Sequence, residues 1–191
     1  MNFLEELIKK KQYLKETETI VTKVDGKRFI EGKKENIALP SNYGFVVDTK
    51  PDDVPILIVD YVYIGSQDCV ADSVLESYNI SNVLSLGIER NIKVKNKYVE
   101  CLDLPETNIV PVVKVCLPYI SDSVANKANV LIHCNAGVSR TSMVVIAYLM
   151  SLGMEYDNAY SLVKSKRPAI QPNVGFVKQL KTTNFSQMST L

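Results

Sequence analysis

One short run holds a histidine, a cysteine, a glycine and an arginine: His133-Cys134-Asn135-Ala136-Gly137-Val138-Ser139-Arg140, followed by Thr141. Arg140 follows Cys134 by six positions, so its guanidinium can fold back over the loop and grip two oxygens of a tetrahedral anion. Gly137 supplies a backbone able to turn tightly between them. Where such a loop joins a strand to a helix, its N–H groups and the positive helix end aim at one point, and that point suits a dianion such as phosphate. The phosphate-binding set is then Asn135, Ala136, Gly137, Val138 and Ser139 through their backbone, with Arg140. The same field favours a thiolate at Cys134, so nucleophile and anion cradle share one loop. A hydroxyl from Thr141 or Ser139 can donate to that sulfur and improve it as a leaving group. His133 is expected to orient the loop by hydrogen bonding its backbone. Taken singly these residues have plainer readings, a buried cysteine being most often a small hydrophobe. Their order, H-C-x-x-G-x-x-R, is what points to chemistry. Cys69, Cys101 and Cys116 are read as structural.

The elements around the loop must place it at such a junction. Residues 129–133 (NVLIH) are apolar on both faces, as a central parallel strand requires. Residues 140–152 (RTSMVVIAYLMSL) are apolar nearly all round and end at Gly153, which predicts a buried helix closed by a C′ glycine. Upstream, strands are predicted at 56–59, 63–65, 80–86 and 98–102, and a helix over 68–78 starting near Ser66. A helix over 111–124 contains Pro118, where a kink or break is expected. Two further helices cover about 156–166 and 172–185. Strands alternating with helices indicate an α/β domain, a central, mostly parallel sheet flanked by helices. It is bounded at 54–184, with a tail at 185–191. The first 50 residues are less apolar, carry runs such as Lys9-Lys10-Lys11, and read as an extension. Within it residues 1–12 suggest a helix. Asp25-Gly26 between the β-prone runs 20–24 and 27–30 suggests a hairpin.

Composition narrows the function classes. Lys plus Arg number 22 against 21 for Asp plus Glu, a net charge of +1 that offers no global field to nucleic acid or anionic lipid. Any anion site is therefore local. Four cysteines without a C-x-x-C pair, and a single histidine, assemble no zinc site of the usual spacing. No run approaches the roughly 18 apolar residues of a membrane span, and MNFLEELIKKKQ lacks the apolar stretch of a signal peptide. Free thiols in a reducing cytosol, or the nucleus, are expected.

Over residues 54–184 the chain resembles the cysteine-dependent phosphatases, and among them the atypical dual-specificity phosphatases. The resemblance rests on the loop itself and on Tyr63-Ile64-Gly65-Ser66-Gln67-Asp68, Ala159 with Val163-Lys164 and Arg167-Pro168, and Pro172-Asn173-Val174-Gly175-Phe176 with Gln179-Leu180. It implies the dual-specificity phosphatase fold and hydrolysis of phosphate monoesters on protein Tyr and Ser/Thr through a cysteinyl phosphate, without metal or organic cofactor. The implied partners are phosphorylated proteins, among them kinases of stress-activated MAP kinase cascades; composition has already set nucleic acid and membrane aside. It also supplies a general acid, since the family's D-x-x-E-x-N-[LI] is matched by Asp103, Glu106, Asn108 and Ile109. Expelling an alkoxide needs such a donor, worth about 10² to 10⁴ in rate. Thr141 stands where many members have Ser or Ala and keeps a hydroxyl. Lys95-Asn96-Lys97-Tyr98 resembles the phosphotyrosine-loop motif of the large tyrosine-specific phosphatases, but it stands beside the acid-loop strand and is expected to be surface. Two other readings share the fold: a catalytically silent phosphoprotein-binding scaffold, and an inositide or RNA phosphatase. Intact Cys134, Arg140 and Asp103 oppose the first; the uncharged Asn135, Ala136 and Val138 oppose an inositide site, which tends to carry lysines in the loop.

Overall fold

The computed structural model describes residues 52–185 and three strands nearer the N-terminus. The chain divides into two compact units, residues 1–47 and 48–191. In the first, β1 (Thr19–Thr22), β2 (Arg28–Glu31) and β3 (Asn36–Leu39) form an antiparallel three-stranded sheet in the order β1-β2-β3. β1 and β2 pair with Thr22 opposite Arg28, along the two runs where a hairpin is expected. β3 was not expected: Asn-Ile-Ala-Leu is too short to show a period. The Asp25-Gly26 turn and the helix expected over 1–12 lie outside the described residues.

The second unit is built on a five-stranded sheet in the order β4-β5-β8-β6-β7. Its strands are β4 (Ile56–Val59), β5 (Val62–Gly65), β6 (Ile80–Leu86), β7 (Lys95–Val99) and β8 (Asn129–His133). β8 runs parallel to both neighbours, β7 is parallel to β6, and only the edge strand β4 is antiparallel. The helices are α1 (Asp72–Ser77), α2 (Ile109–Ala125), α3 (Arg140–Ser151), α4 (Tyr156–Lys166) and α5 (Val174–Thr182).

Alternation along the central strands sorts the core into two layers. Val130 and Ile132 of β8, with Leu84 of β6, join the large cluster built with α2, α3, α4 and α5. Leu131 and Val83 face the other way, onto Cys69 and Leu75. α3 lies in the thicker layer with ten of its twelve residues buried, which explains why its sequence lacks a polar face. Ile64, Val83, Leu84 and Ile132 are wholly buried, so β8 lies in the dry centre of the sheet.

Two expectations are revised and a third, the kink or break at Pro118, is narrowed. The helix over 68–78 is two pieces, a 3-10 turn (Gln67–Val70) and α1, separated by Ala71 in an extended conformation (φ −60°, ψ 137°). Ser66 caps the turn, its hydroxyl accepting from the Asp68 N–H at 3.0 Å. The strand expected at 98–102 lies earlier, at Lys95–Val99. α2 is not broken at Pro118. Pro118 and Lys114, whose carbonyl loses its helical donor to the proline, are both exposed, so water can take up that carbonyl and the helix continues.

Candidate active site

Between the end of β8 at His133 and the start of α3 at Arg140, residues 134–139 form a tight loop. Four successive carbonyls, those of residues 135–138, are taken up from outside the loop. Asn135 O accepts from the Gln67 N–H at 3.0 Å, and Val138 O from the Gln171 N–H at 3.0 Å. Ala136 O and Gly137 O accept from Nη2 and Nε of Arg167, at 3.2 and 3.0 Å. A planar trans peptide sets each N–H opposite the carbonyl it shares a plane with. The N–H groups of 136–139 therefore turn inward and converge with the N-terminus of α3, an arrangement that suits an anion. Gly137 is required twice over: its φ is +63°, and a Cβ there would stand 2.5 Å from the Gly65 carbonyl.

Cys134 opens this loop, buried at 2% exposure. Arg140 closes it. Its Nη1 donates to Leu86 O at 3.0 Å. Its Nε lies 3.7 Å from Oδ2 of Asp103, and among the described residues has no hydrogen-bond partner. The anchored Nη1 fixes the guanidinium plane and leaves the Nε–Nη2 edge, the one suited to bidentate contact with two oxygens. Gly87 makes room for this, since a Cβ there would be 2.6 Å from Nη1 of Arg140.

Asp103 is delivered to the same mouth by the loop before α2. Its Oδ1 accepts from Ser139 Oγ at 2.6 Å and from Asn173 Nδ2 at 2.8 Å. The loop itself rests on the start of α5. Gln179 accepts from the Ile109 N–H at 3.0 Å and donates to Thr107 O at 2.9 Å. A Cβ on Gly175 would come within 1.8 Å of Pro105 O. Asn173 does two tasks, because its Oδ1 also caps α5 by accepting from the Phe176 N–H at 3.0 Å. In the sequence it is visible only as an N-cap two residues before a glycine. Nothing there shows that its amide reaches back seventy residues to Asp103.

One expected role changes. Ser139 has one hydroxyl proton, and Asp103 takes it, while the Asn173 N–H donates to the same oxygen at 3.2 Å; that hydroxyl does not serve the sulfur. Thr141 Oγ1 is fully buried and, among the described residues, has no hydrogen-bond partner. His133 is held from two sides, by Ser85, whose Oγ lies 2.7 Å from Nε2, and by the backbone of Cys134 at the head of the loop. Ser85 Oγ in turn donates to Asn96 Oδ1 at 2.9 Å. Burial, with help from Arg90 and Arg140 and against the Cys134 backbone, pushes the imidazole down to about 4, so the ring is neutral at neutral pH. Lys95, Asn96 and Tyr98 are exposed, as expected of that run, yet Asn96 ends the chain of contacts that fixes His133.

The other three cysteines differ from the loop in kind. Burial pushes Cys69 and Cys101 up to about 11 and Cys116 up to about 12. They are thiols packed as small hydrophobes.

Comparison with known proteins gives this geometry a family. The model of the dual specificity phosphatase catalytic domain matches residues 62–185. A probable dual specificity protein phosphatase of Dictyostelium discoideum is 34% identical over 219 residues, covering 93% of this chain and 95% of its own length. Dual specificity protein phosphatase 19 of Mus musculus is 35% identical over 178 residues, covering 86% and 81%. Among solved structures, the human tyrosine phosphatase-like serine/threonine/tyrosine-interacting protein aligns with a TM-score of 0.63 at 28% identity, over 66% of this chain and 93% of its own. With an anion cradle, a cysteine at its head and an arginine at its close, the chain belongs to the atypical dual specificity phosphatases and is a protein phosphatase.

Proposed function

We propose that the enzyme hydrolyses phosphotyrosine and phosphoserine or phosphothreonine in proteins in two covalent steps. Cys134 Sγ attacks phosphorus in line, forming an S–P bond as the ester O–P bond breaks. The inward amides of the loop and the Nε–Nη2 edge of Arg140 hold the equatorial oxygens. Asp103 gives its proton to the leaving oxygen. As a carboxylate it then takes a proton from the water that attacks the cysteinyl phosphate, releasing inorganic phosphate and the thiolate. Thr141, buried with its hydroxyl uncommitted, is the donor to the sulfur. The observation that carries this reading is convergence: loop amides, the open edge of Arg140 and the Asp103 carboxylate meet at one mouth. Asp103 lies against Arg140 in the structure, so an arriving phosphate takes over the guanidinium and frees the carboxyl to face the leaving group.

Breadth toward the acceptor residue follows from what surrounds the cradle. Holding phosphoserine away from the sulfur takes a deep cleft with long walls, and the stretch from Asp103 to α2 is only five residues. Substrates within stress-activated MAP kinase cascades, in a reducing cytosol or nucleus, are the extension that the family resemblance supports. Paired phosphopeptides differing only at the acceptor test the breadth. Both should be hydrolysed, faster at tyrosine. A tyrosine preference beyond about 10⁴ in kcat/KM, roughly 5.4 kcal/mol, would overturn it. Cys134→Ser should abolish turnover while retaining phosphorylated partners, MAP kinase pathway kinases among them. Survival of a tenth of wild-type turnover would end the covalent mechanism, and a wild type inert on every phosphopeptide would leave the scaffold reading.

A further inference from the structure

Asp52 lies ten residues before the segment that the family model matches, yet it is tied to the phosphate loop. The link is Arg167. Its guanidinium reaches under the loop, with Nε on Gly137 O and Nη2 on Ala136 O, and its side chain is 7% exposed. A guanidinium that dry needs a counter-charge, because a buried unpaired ion costs several kcal/mol. Among the described residues Asp52 is the carboxylate that supplies it, through an ion pair with Nη2 and a second contact with Nη1 at 3.4 Å.

Asp52 is itself fixed on every polar atom of its backbone. Its N–H donates to Asp68 Oδ2 at 3.2 Å. Its carbonyl accepts from Ser66 Oγ at 2.8 Å and from Cys69 Sγ at 3.1 Å. Those partners border or belong to the 3-10 turn whose Gln67 N–H holds Asn135 O. Three successive loop carbonyls, at 135, 136 and 137, thus hang from one frame made of Asp52, that turn and Arg167.

We infer that Asp52 is a positioning residue of the phosphate loop: by pairing with Arg167 it keeps the carbonyls of Ala136 and Gly137 turned outward, and so keeps the N–H groups of Gly137 and Val138 aimed into the cradle. This rests on the loop being the catalytic cradle. Without the carboxylate, Arg167 retains its reach but loses the charge that holds it inward, and the amides drift by tenths of an ångström. Misplacement on that scale is felt most in the transition state, where the donors must meet equatorial oxygens.

The test is Asp52→Asn in the full chain, assayed with a small aryl phosphate that touches nothing beyond the cradle. We expect kcat to fall about 10- to 100-fold with KM changed far less, orthovanadate binding to weaken, and Asp52→Glu to recover part of the loss. The backbone amide resonances of Gly137 and Val138 should shift in the ligand-free variant. Asp52→Asn and Arg167→Gln should be strongly non-additive, since they break one pair. Activity of Asp52→Asn within twofold of wild type, with unshifted amides, overturns the inference. If Asp52→Asn does not fold, Asp52→Glu decides: a variant with wild-type kcat and shifted amides overturns it, and a lowered kcat at unchanged melting temperature supports it. Failure of the catalytic reading has a different signature, turnover that survives Cys134→Ser whatever stands at position 52.

Discussion

Asp103 meets hydroxyl, amide and guanidinium partners on its two oxygens, from Ser139, Asn173 and Arg140. An Asn there keeps the shape and removes the transferable proton. Asp103→Asn should therefore cost about 10² or more in kcat on a phosphoserine peptide, and less on an activated aryl ester whose leaving oxygen is a weak base. The basic limb of the pH–rate profile should flatten. Equal loss on both substrates with an unchanged profile would move the acid elsewhere, and Glu106, exposed on the same loop, would be examined next. At this scale the sequence was readable where spacing alone sets geometry. Cys134 and Arg140 are placed by one loop, and six positions suffice to bring them together. Ser139 was not readable, because its proton goes to a carboxylate 36 residues away. The direction of a hydroxyl is settled by neighbours that only the fold assembles.

Among the elements, those with a strong period or an all-apolar face stand within about two residues of expectation: β6, β8, α3 and α4. Departures occur where a local rule meets its surroundings. The 3-10 turn separates from α1 at the extended Ala71, and it is pinned locally, capped by Ser66 and tied to Asp52. β7 begins early because Asn82, Val83 and Leu84 of β6 offer a ladder to Lys95, Asn96 and Lys97, residues with little strand character of their own. α2 passes through Pro118 because the missing bond faces water. That proline still costs the helix, about 3 kcal/mol against Ala in a helix interior, offset by up to about 1 kcal/mol from its stiffening of the unfolded chain. Pro118→Ala should stabilise the enzyme by about 2 kcal/mol, a rise of about 5 °C in melting temperature, with kcat unchanged. An unchanged or lower melting temperature would mean that the contacts and stiffness of the ring outweigh the missing bond.

Across the whole molecule, stability and pH are joined at one buried ring. His133 sits at 0% exposure on the central strand. Its folded value of about 4 lies below the ordinary 6.5, so the unfolded chain binds the extra proton first as pH falls. The stability concerned is fully present above pH 6.5 and is lost as pH falls toward 4. A shift of that size amounts to about 3 kcal/mol at most. Urea midpoints taken from pH 7 to pH 4 should fall, and the fall should be shallower in His133→Gln, which can keep the contact with Ser85. Parallel curves would place the acid sensitivity among the carboxylates instead. Another long-range meeting, that of Gly175 with Pro105, joins two stretches seventy residues apart, backbone against backbone. Gly175 lies inside α5, where alanine would ordinarily add about 1 kcal/mol of helix stability. The added methyl would nonetheless act as a doorstop, pressing on Pro105 and propping the acid loop ajar. Gly175→Ala should leave the loop cysteine competent toward activated aryl esters and slow it on phosphoserine, which loss of both or of neither would refute. The gap between two strips of main chain would then set whether the enzyme can finish with a reluctant leaving group, and a single carbon atom is enough to close it.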